Sequence, residues 1–209
     1  MQTHLYTDVF QPEGFYHLFN HAVGNENLFR NDANYQYFLT KFGEYISPVC
    51  RVYAYCLMPN HFHFLIQIRK EDVLEKFFHD KHPDDTTTKT FDYHNIVMQQ
   101  FRNFLNGYAQ AYNKMFDRKG SLFIDYIKRR QVTEDGYFGK LVHYIHYNPV
   151  HHHFCTTIEE WTFSSYQTMI SEKGTNVERA NVLEWFGGTL AYKTFHLETI
   201  DLSNEIELS

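Results

Sequence analysis

The stretch that most constrains the fold runs from residue 55 to residue 68, Tyr-Cys-Leu-Met-Pro-Asn-His-Phe-His-Phe-Leu-Ile-Gln-Ile. Aromatic and β-branched residues favour strands, and successive side chains of a strand point to opposite faces. His61 and His63 should therefore project together from one face of a sheet. The apolar residues that alternate with them should enter a core on the other face: Phe62, Phe64 and Ile66.

Two imidazoles at this spacing lie about 7 Å apart along a strand. His61 and His63 could therefore bind one divalent cation, provided that a third ligand comes from elsewhere in the chain. The chain has 14 histidines, so that a pair with this spacing also arises by chance on a solvated face. Taken alone, the pair leaves both interpretations open.

Residues 134–148 are predicted to form a helix. Apolar residues recur there at helical spacing, at Phe138, Leu141, Val142 and Ile145. Proline disfavours the helical conformation in the residue before it, so that Pro149 is expected to end the helix. Tyr144 and Asn148 lie along one edge of the apolar stripe and, being four residues apart, are adjacent on the helix surface.

If this edge faces the histidine strand, Asn148 can offer its amide oxygen to a cation while Tyr144 presents a hydroxyl beside it. In the alternative interpretation, Tyr144 is an ordinary boundary tyrosine and Asn148 caps the helix. Two other tyrosines share the helix. Tyr147 should point about 100° away from Asn148, and Tyr137 lies about two turns earlier. Tyr144 is therefore the best candidate for a nucleophile.

Together, the two segments resemble the single-tyrosine transposases of the His-hydrophobe-His (HUH) superfamily, and in particular the branch of REP-associated tyrosine transposases. The motifs are Pro59-Asn-His-Phe-His63 and Tyr144-Ile-His-Tyr-Asn-Pro149. The resemblance covers about residues 14–196. Four further segments also resemble elements of that branch, namely residues 16–23, 113–123, 160–166 and 182–187.

The resemblance implies that His61, His63 and Asn148 bind a divalent metal, Mg²⁺ or Mn²⁺, and that Tyr144 is the catalytic nucleophile. It also implies cleavage and rejoining of single-stranded or hairpin DNA through a 5′-phosphotyrosine intermediate, by a monomer or a homodimer. Two alternatives stay open. One is a domesticated, non-mobile DNA-binding protein without cleavage activity. The other is a metal-dependent hydrolase in which Tyr144 only orients the substrate.

The order of predicted elements is typical of an α+β, ferredoxin-like antiparallel sheet with helices on one face and small C-terminal helices added. Residues 70–93 are interpreted as a polar insertion, either a mobile lid or a disordered loop. We expect one domain over residues 1–209, with a core of about 14–150 and a C-terminal helical extension of about 155–200. The predicted elements are strands 14–23, 49–58 and 61–69, helices 32–46, 94–116 and 134–148, and an extended segment 121–132.

The net charge of −6 means that any nucleic-acid surface must be local. Cations crowd one short stretch, with two aromatic residues suited to base stacking, Phe123 and Tyr126. The alternative is a solvated turn followed by an edge strand that charge protects from aggregation. The candidate DNA-binding residues are Lys114, Arg118, Lys119, Lys128, Arg129 and Arg130.

The remaining composition predicts a soluble, cytoplasmic protein. Three cysteines without metal-finger spacing make a disulfide framework improbable and favour a reducing compartment. We find no secretory signal and no run of about 18 apolar residues that would predict a membrane span.

Overall fold

The computed structural model describes residues 6–84, 90–133 and 135–198. Four strands form one antiparallel sheet in the order β2-β3-β1-β4, so that β1 and β3 lie at its centre. This is the order expected for a ferredoxin-like sheet. The strands are β1 (Phe15–His21), β2 (Cys50–Leu57), β3 (His61–Ile68) and β4 (Lys128–Val132).

Three of the helices lie close to their predicted ranges of 32–46, 94–116 and 134–148, and further helices form in residues 70–93 and in the C-terminal extension. The helix bounds are α1 (Asp32–Ile46), α2 (Glu71–Lys81), α3 (Tyr93–Met115), α4 (Asp135–His151), α5 (Tyr166–Ile170), α6 (Arg179–Phe186) and α7 (Thr189–Leu197), with a short 3₁₀ turn at Ile158–Glu160. None of the helices in the described part of the chain has the length and apolar character that spanning a membrane requires.

Helices α1 and α3 cover the face of the sheet opposite the histidines, as the alternation in β3 predicts. Phe38 of α1 is completely buried at the centre of this core. Its ring lies 5.2 Å from that of Phe62 on β3 and 4.8 Å from that of Phe104 on α3, centroid to centroid. The core is therefore built from aromatic contacts between the sheet and both helices.

The histidine face is covered by α4, which the C-terminal helices in turn cover. Leu141, Val142 and Ile145 of α4 are all fully buried and pack with Leu65 of β3 in a second apolar cluster. The alternative interpretation, in which the two histidines lie on a solvated face, is therefore wrong. The side chain of His63 is only 3 % exposed, because α4 lies over it.

Residues 70–93 are not one long loop, because α2 forms within them. Leu74 is fully buried, and Tyr93 at the start of α3 donates a hydrogen bond of 2.7 Å to Glu75. Leu74 is the buried residue of this helix, and most of its other residues are polar, so that the sequence shows no clear apolar stripe there. Residues 85–89, part of the proposed lid, lie outside the described residues.

Two predicted boundaries are also wrong. Pro149 does not end α4, which continues to His151. A proline near the end of a helix removes one backbone hydrogen bond, and here the chain continues with a bond from His152 N–H to the Asn148 carbonyl. The extended segment 121–132 forms a regular strand only from Lys128 onwards.

We predict that Phe38→Ala lowers the free energy of unfolding by about 3–5 kcal/mol, because it leaves a cavity among packed aromatic rings. Chemical denaturation measures this change. The adjacent Tyr37, which is 37 % exposed, is the matched control. Tyr37→Ala should cost less than about 1 kcal/mol, and equal losses for the two variants would contradict the assigned core.

Candidate active site

The fold brings the four candidate residues from the sequence analysis together between β3 and α4. His61 Nε2 lies 3.3 Å from Asn148 Oδ1. The rings of His61 and His63 have centroids 5.2 Å apart, and the ring of Tyr144 lies 5.5 Å from that of His63. His61, His63 and Asn148 are each at most 3 % exposed. The site therefore lies beneath the helix that carries the tyrosine.

The contact between His61 Nε2 and Asn148 Oδ1 brings together two atoms that both carry a lone pair and would both accept a hydrogen bond. His61 Nδ1 lies 2.8 Å from Asn60 Oδ1, so that the ring proton is held at Nδ1 and Nε2 keeps its lone pair. Asn148 Nδ2 donates to the Tyr144 carbonyl at 3.4 Å, which turns Oδ1 towards His61. No proton is available between the two acceptors. Cis ligands of an octahedral ion with bonds of about 2.1 Å lie about 3 Å apart, so that this pair fits a cation.

His63 is held differently, by another histidine. His63 Nδ1 lies 3.0 Å from Nε2 of His17 on β1, and the two rings lie side by side, with centroids 5.2 Å apart and an interplanar angle of 24°. His17 is completely buried and also meets the ring of Tyr144 edge-on at 6.0 Å. It therefore packs against both the second candidate ligand and the candidate nucleophile. Sequence reasoning missed His17, because its partner lies 46 residues away.

Burial keeps the imidazoles of the site neutral. Loss of solvation lowers the pKa of His61 to about 3 and that of His63 well below 6.5. A neutral imidazole is the form that binds a metal. In residues 6–84, 90–133 and 135–198, no three His, Cys, Asp or Glu side chains are grouped to hold an ion. A site built from these residues therefore needs the amide oxygen of Asn148 as its third protein ligand.

Tyr144 is the tyrosine of α4 that meets the histidines. Burial raises the pKa of Tyr144 to about 12, while a hydrogen bond with the Asn148 side chain acts in the opposite direction. Tyr147 is 38 % exposed and stacks on His143 at 5.4 Å, so that it points away from the site. Tyr137 packs against the apolar cluster under the N-terminal half of α4.

Two further histidines border the site. The ring of His21 stacks on that of His61 with centroids 4.4 Å apart and an interplanar angle of 11°. The ring of His152, just after α4, lies 5.0 Å from that of His61. Both are partly exposed, unlike His61. The register of β1 against β3, which pairs His21 with His61, explains the first contact.

A buried hydrogen-bond network fixes α4 to the rest of the protein. His146 is completely buried, and its Nε2 lies 2.8 Å from Ser165 Oγ, which also accepts a bond of 2.9 Å from Tyr55 N–H on β2. On the other side of the ring, His146 Nδ1 lies 3.0 Å from His196 Nε2 and 3.2 Å from the Tyr192 hydroxyl. The helix that carries Tyr144 is thus tied to both the sheet and α7.

The predicted DNA-binding cations separate into two groups. Arg118 pairs with Glu26 at 3.0 Å and donates to the carbonyl of Ser121, so that it holds the turn after α3. Arg129 is buried, and its guanidinium donates to backbone carbonyls of the N-terminal segment. These placements do not favour direct phosphate contacts. The other four members are exposed or partly exposed, namely Lys114, Lys119, Lys128 and Arg130.

Lys128 and Arg130 lie beside the histidines. Their Cα atoms pair with those of Phe19 and His17 on β1, so that they share the histidine face of the sheet. Of the two aromatic residues predicted for base stacking, Phe123 is buried in the core and Tyr126 is 75 % exposed. Strand alternation therefore places two cations at the sheet edge nearest to the site.

Two cavities differ in their relation to the site. The larger, of about 1040 Å³, lies between α1, α2 and α3, on the far side of the sheet from the histidines. The other, of about 660 Å³, is lined by side chains that include Arg102, Tyr126, Lys128 and Arg129. Size alone would select the first, but the second adjoins the edge strand that carries the exposed cations.

No protein-family model matches this chain, and no curated protein matches it in sequence. Among solved structures, the REP-associated tyrosine transposase bound to a REP hairpin has a similar fold. The similarity has a TM-score of 0.59 at 14 % sequence identity, over 83 % of this chain and 93 % of that chain. The two chains share a fold, and the predicted α+β class with an antiparallel sheet is confirmed.

The network around His146 predicts that acid destabilises the protein. Burial lowers the pKa of His143 and of His196 from 6.5 to about 4, and that of His146 further. These histidines therefore bind protons more tightly in the unfolded chain than in the folded chain, so that a fall in pH favours unfolding. We expect full stability above about pH 6.5, with a loss on the order of 1–2 kcal/mol per imidazole between about pH 7 and pH 5.

Chemical denaturation at a series of pH values measures this loss. His196→Gln keeps hydrogen-bonding capacity but removes one titrating ring, so that the loss between neutral and acid pH should shrink. His79 is exposed on α2, and His79→Gln serves as the control with an unchanged pH dependence. An identical pH profile in wild type and His196→Gln would show that this network does not govern acid stability.

Proposed function

We propose that this chain is a transposase that cuts and rejoins single-stranded DNA through a covalent bond to Tyr144. The observation that carries the proposal is the convergence of His61, His63, Tyr144 and Asn148 in one buried site. The shared fold supports it, since a solved structure with that fold is a tyrosine transposase bound to a REP hairpin.

The proposed reaction is attack of the Tyr144 hydroxyl oxygen on a phosphodiester. The bond from oxygen to phosphorus forms, the bond from phosphorus to the 3′ oxygen breaks, and the strand is left with a 5′-phosphotyrosine and a free 3′-hydroxyl. The phenol loses one proton, and the leaving oxygen gains one. Because the phosphotyrosine conserves the energy of the phosphodiester, a 3′-hydroxyl can reverse the step without ATP.

A phenol whose pKa is raised to about 12 is a weak nucleophile at neutral pH. When bound, a divalent cation would polarise the phosphate and offset the charge of the transition state. Its ligands in this chain would be Nε2 of His61, His63 and Oδ1 of Asn148. Two imidazoles with one amide oxygen suit Mn²⁺ or Mg²⁺, the imidazoles favouring the transition metal and the oxygen the harder ion.

The DNA strand is proposed to reach the site across β4. Lys128 and Arg130 supply positive charge on the histidine face, and Tyr126 offers an exposed ring on which a base can stack. This local basic surface explains how a chain with a net charge of −6 can hold a polyanion.

Replacement of Tyr144 by phenylalanine tests the nucleophile. The change removes one hydroxyl and almost no volume, so that folding and Mn²⁺ binding should persist. Adduct formation should fall by at least about 1000-fold, since no other group takes the place of a lost nucleophile. The measurement incubates labelled single-stranded hairpin DNAs with Mn²⁺ and separates protein–DNA adducts on a denaturing gel.

Tyr147→Phe is the matched control, because Tyr147 lies on the same helix but faces solvent. Its adduct yield should equal that of the wild type. A Tyr144→Phe variant that still forms the adduct would refute the assignment. A wild-type chain that binds hairpin DNA without forming any adduct would instead support the non-mobile DNA-binding protein.

The proposed strand path predicts a salt-dependent loss of DNA affinity. Each phosphate contact to single-stranded DNA contributes about 0.7 to the slope of log K against log salt. Lys128→Ala with Arg130→Ala should therefore weaken binding several-fold at low salt and make this slope shallower by about 1 to 1.5. Fluorescence anisotropy with a labelled hairpin, over a range of salt concentrations, measures both quantities.

Lys41→Ala is the control for a general charge effect. Lys41 lies on α1, on the opposite side of the sheet, where it pairs with Glu44 at 2.6 Å. It should leave the salt slope unchanged. If the double variant keeps the wild-type slope, the DNA follows another path.

A further inference from the structure

The proposed cleavage reaction does not use the contact between His17 and His63. The Cα of His17 pairs with that of Leu65, and the Cα of His63 with that of Phe19, so that the two histidines are diagonal neighbours on one face of the sheet. His17 Nε2 and His63 Nδ1 lie 3.0 Å apart. At this distance one nitrogen must donate a proton to the other.

Two arrangements of protons satisfy this contact when both rings are neutral. In the first, His63 Nδ1–H donates to His17 Nε2, and His63 Nε2 keeps the lone pair that a cation needs. In the second, His17 Nε2–H donates to His63 Nδ1, and His63 Nε2 carries a proton that excludes a cation. The identity of the donor therefore decides whether His63 can act as a ligand.

The surroundings of His17 Nδ1 indicate that the first arrangement is energetically less favourable than the second. His17 Nδ1 is buried and has no hydrogen-bond partner in the part of the chain that the structure describes. In the first arrangement this nitrogen carries a proton without an acceptor, whereas in the second it is only an unused lone pair. Orphaned buried N–H groups are rarer in native proteins than orphaned acceptors. The cation-free protein should thus favour the second arrangement.

We propose that His17 is a positioning residue that accepts the Nδ1 proton of His63 when the cation binds, and so stabilises the tautomer in which His63 Nε2 is a ligand. The inference rests on the proposed function, because it assumes that His63 is a ligand. The role is that of the outer hydrogen-bond partner of a metal-bound histidine, for which proteins commonly use a carboxylate or a carbonyl. A neutral imidazole fills it here without adding a negative charge.

The same residue also packs against the candidate nucleophile. The ring of His17 meets those of His63 and Tyr144, at 5.2 Å and 6.0 Å. A test must therefore separate the hydrogen bond from the packing. Phenylalanine keeps a ring at position 17 but offers no acceptor, whereas glutamine offers an amide oxygen near the position of Nε2.

Mn²⁺ affinity, measured by electron paramagnetic resonance of the free ion, provides the first readout. Loss of an outer partner of a metal ligand commonly weakens affinity about 10- to 100-fold. We expect that loss for His17→Phe and recovery to within about threefold of the wild type for His17→Gln. His21→Phe is the matched control, since His21 lies on the same strand and contacts His61 by ring stacking. It should change affinity less than His17→Phe does.

The tautomer itself provides the second readout. In ¹⁵N-labelled wild-type protein with diamagnetic Mg²⁺, the nitrogen shifts of His63 should report a protonated Nδ1. Without the ion they should shift towards a protonated Nε2. This measurement needs no variant, so that it holds even if His17→Phe fails to fold.

The outcomes separate the two proposals. A wild-type chain that binds no Mn²⁺ overturns the metal-dependent function and the role of His17 with it. Wild-type binding with undiminished affinity in His17→Phe overturns the role of His17 alone. Equal losses in His17→Phe and His17→Gln would also overturn it, because packing rather than the acceptor would then matter.

Discussion

The packing of α4 over the histidine face of the sheet is the constraint on which the rest of the molecule depends. Leu141, Val142 and Ile145 are fully buried there, and each such side chain contributes about 1.5–3 kcal/mol. The same packing removes His61 and His63 from water, so that their nitrogens need partners within the protein. In the structure these nitrogens lie beside Asn60, Asn148 and His17. The apolar packing of α4 on the sheet thus buries the histidines and makes their polar contacts necessary.

Histidines also hold α4 from its outer side, and this links stability to the placement of the tyrosine. His146 connects the helix to Ser165, which is bonded to β2, and to His196 of α7. These rings are neutral, and in the described part of the chain none of their hydrogen-bond partners is a carboxylate, so that acid acts directly on the contacts that fix the helix. The groups that hold Tyr144 in place are consequently among those most sensitive to pH.

Side chains alternate between the two faces along β4, and this alternation decides which of its basic residues can contact DNA. Arg129 points to the core side, where its guanidinium stacks over Phe10 at 5.1 Å and binds backbone carbonyls. Lys128 and Arg130 point to the histidine side. Of these three consecutive basic residues, Arg129 therefore stabilises the fold, whereas Lys128 and Arg130 can contact a polyanion. Because β4 is an edge strand, these two lie at the rim of the site and not beneath α4.

The sequence alone determined the faces of the central strand, the class of the fold and the pairing of Tyr144 with Asn148 along one helix edge. The first and the last follow from the periodicity within a single element, and the class of the fold follows from the order of the elements. Only the tertiary structure decided that His17 meets His63, that Arg129 is buried and that α4 continues past Pro149. The first two features depend on contacts between residues far apart in the chain, whereas the third depends on a local backbone bond from His152 N–H to the Asn148 carbonyl. Strand register and helix packing set such contacts, and no local pattern of residue types encodes them.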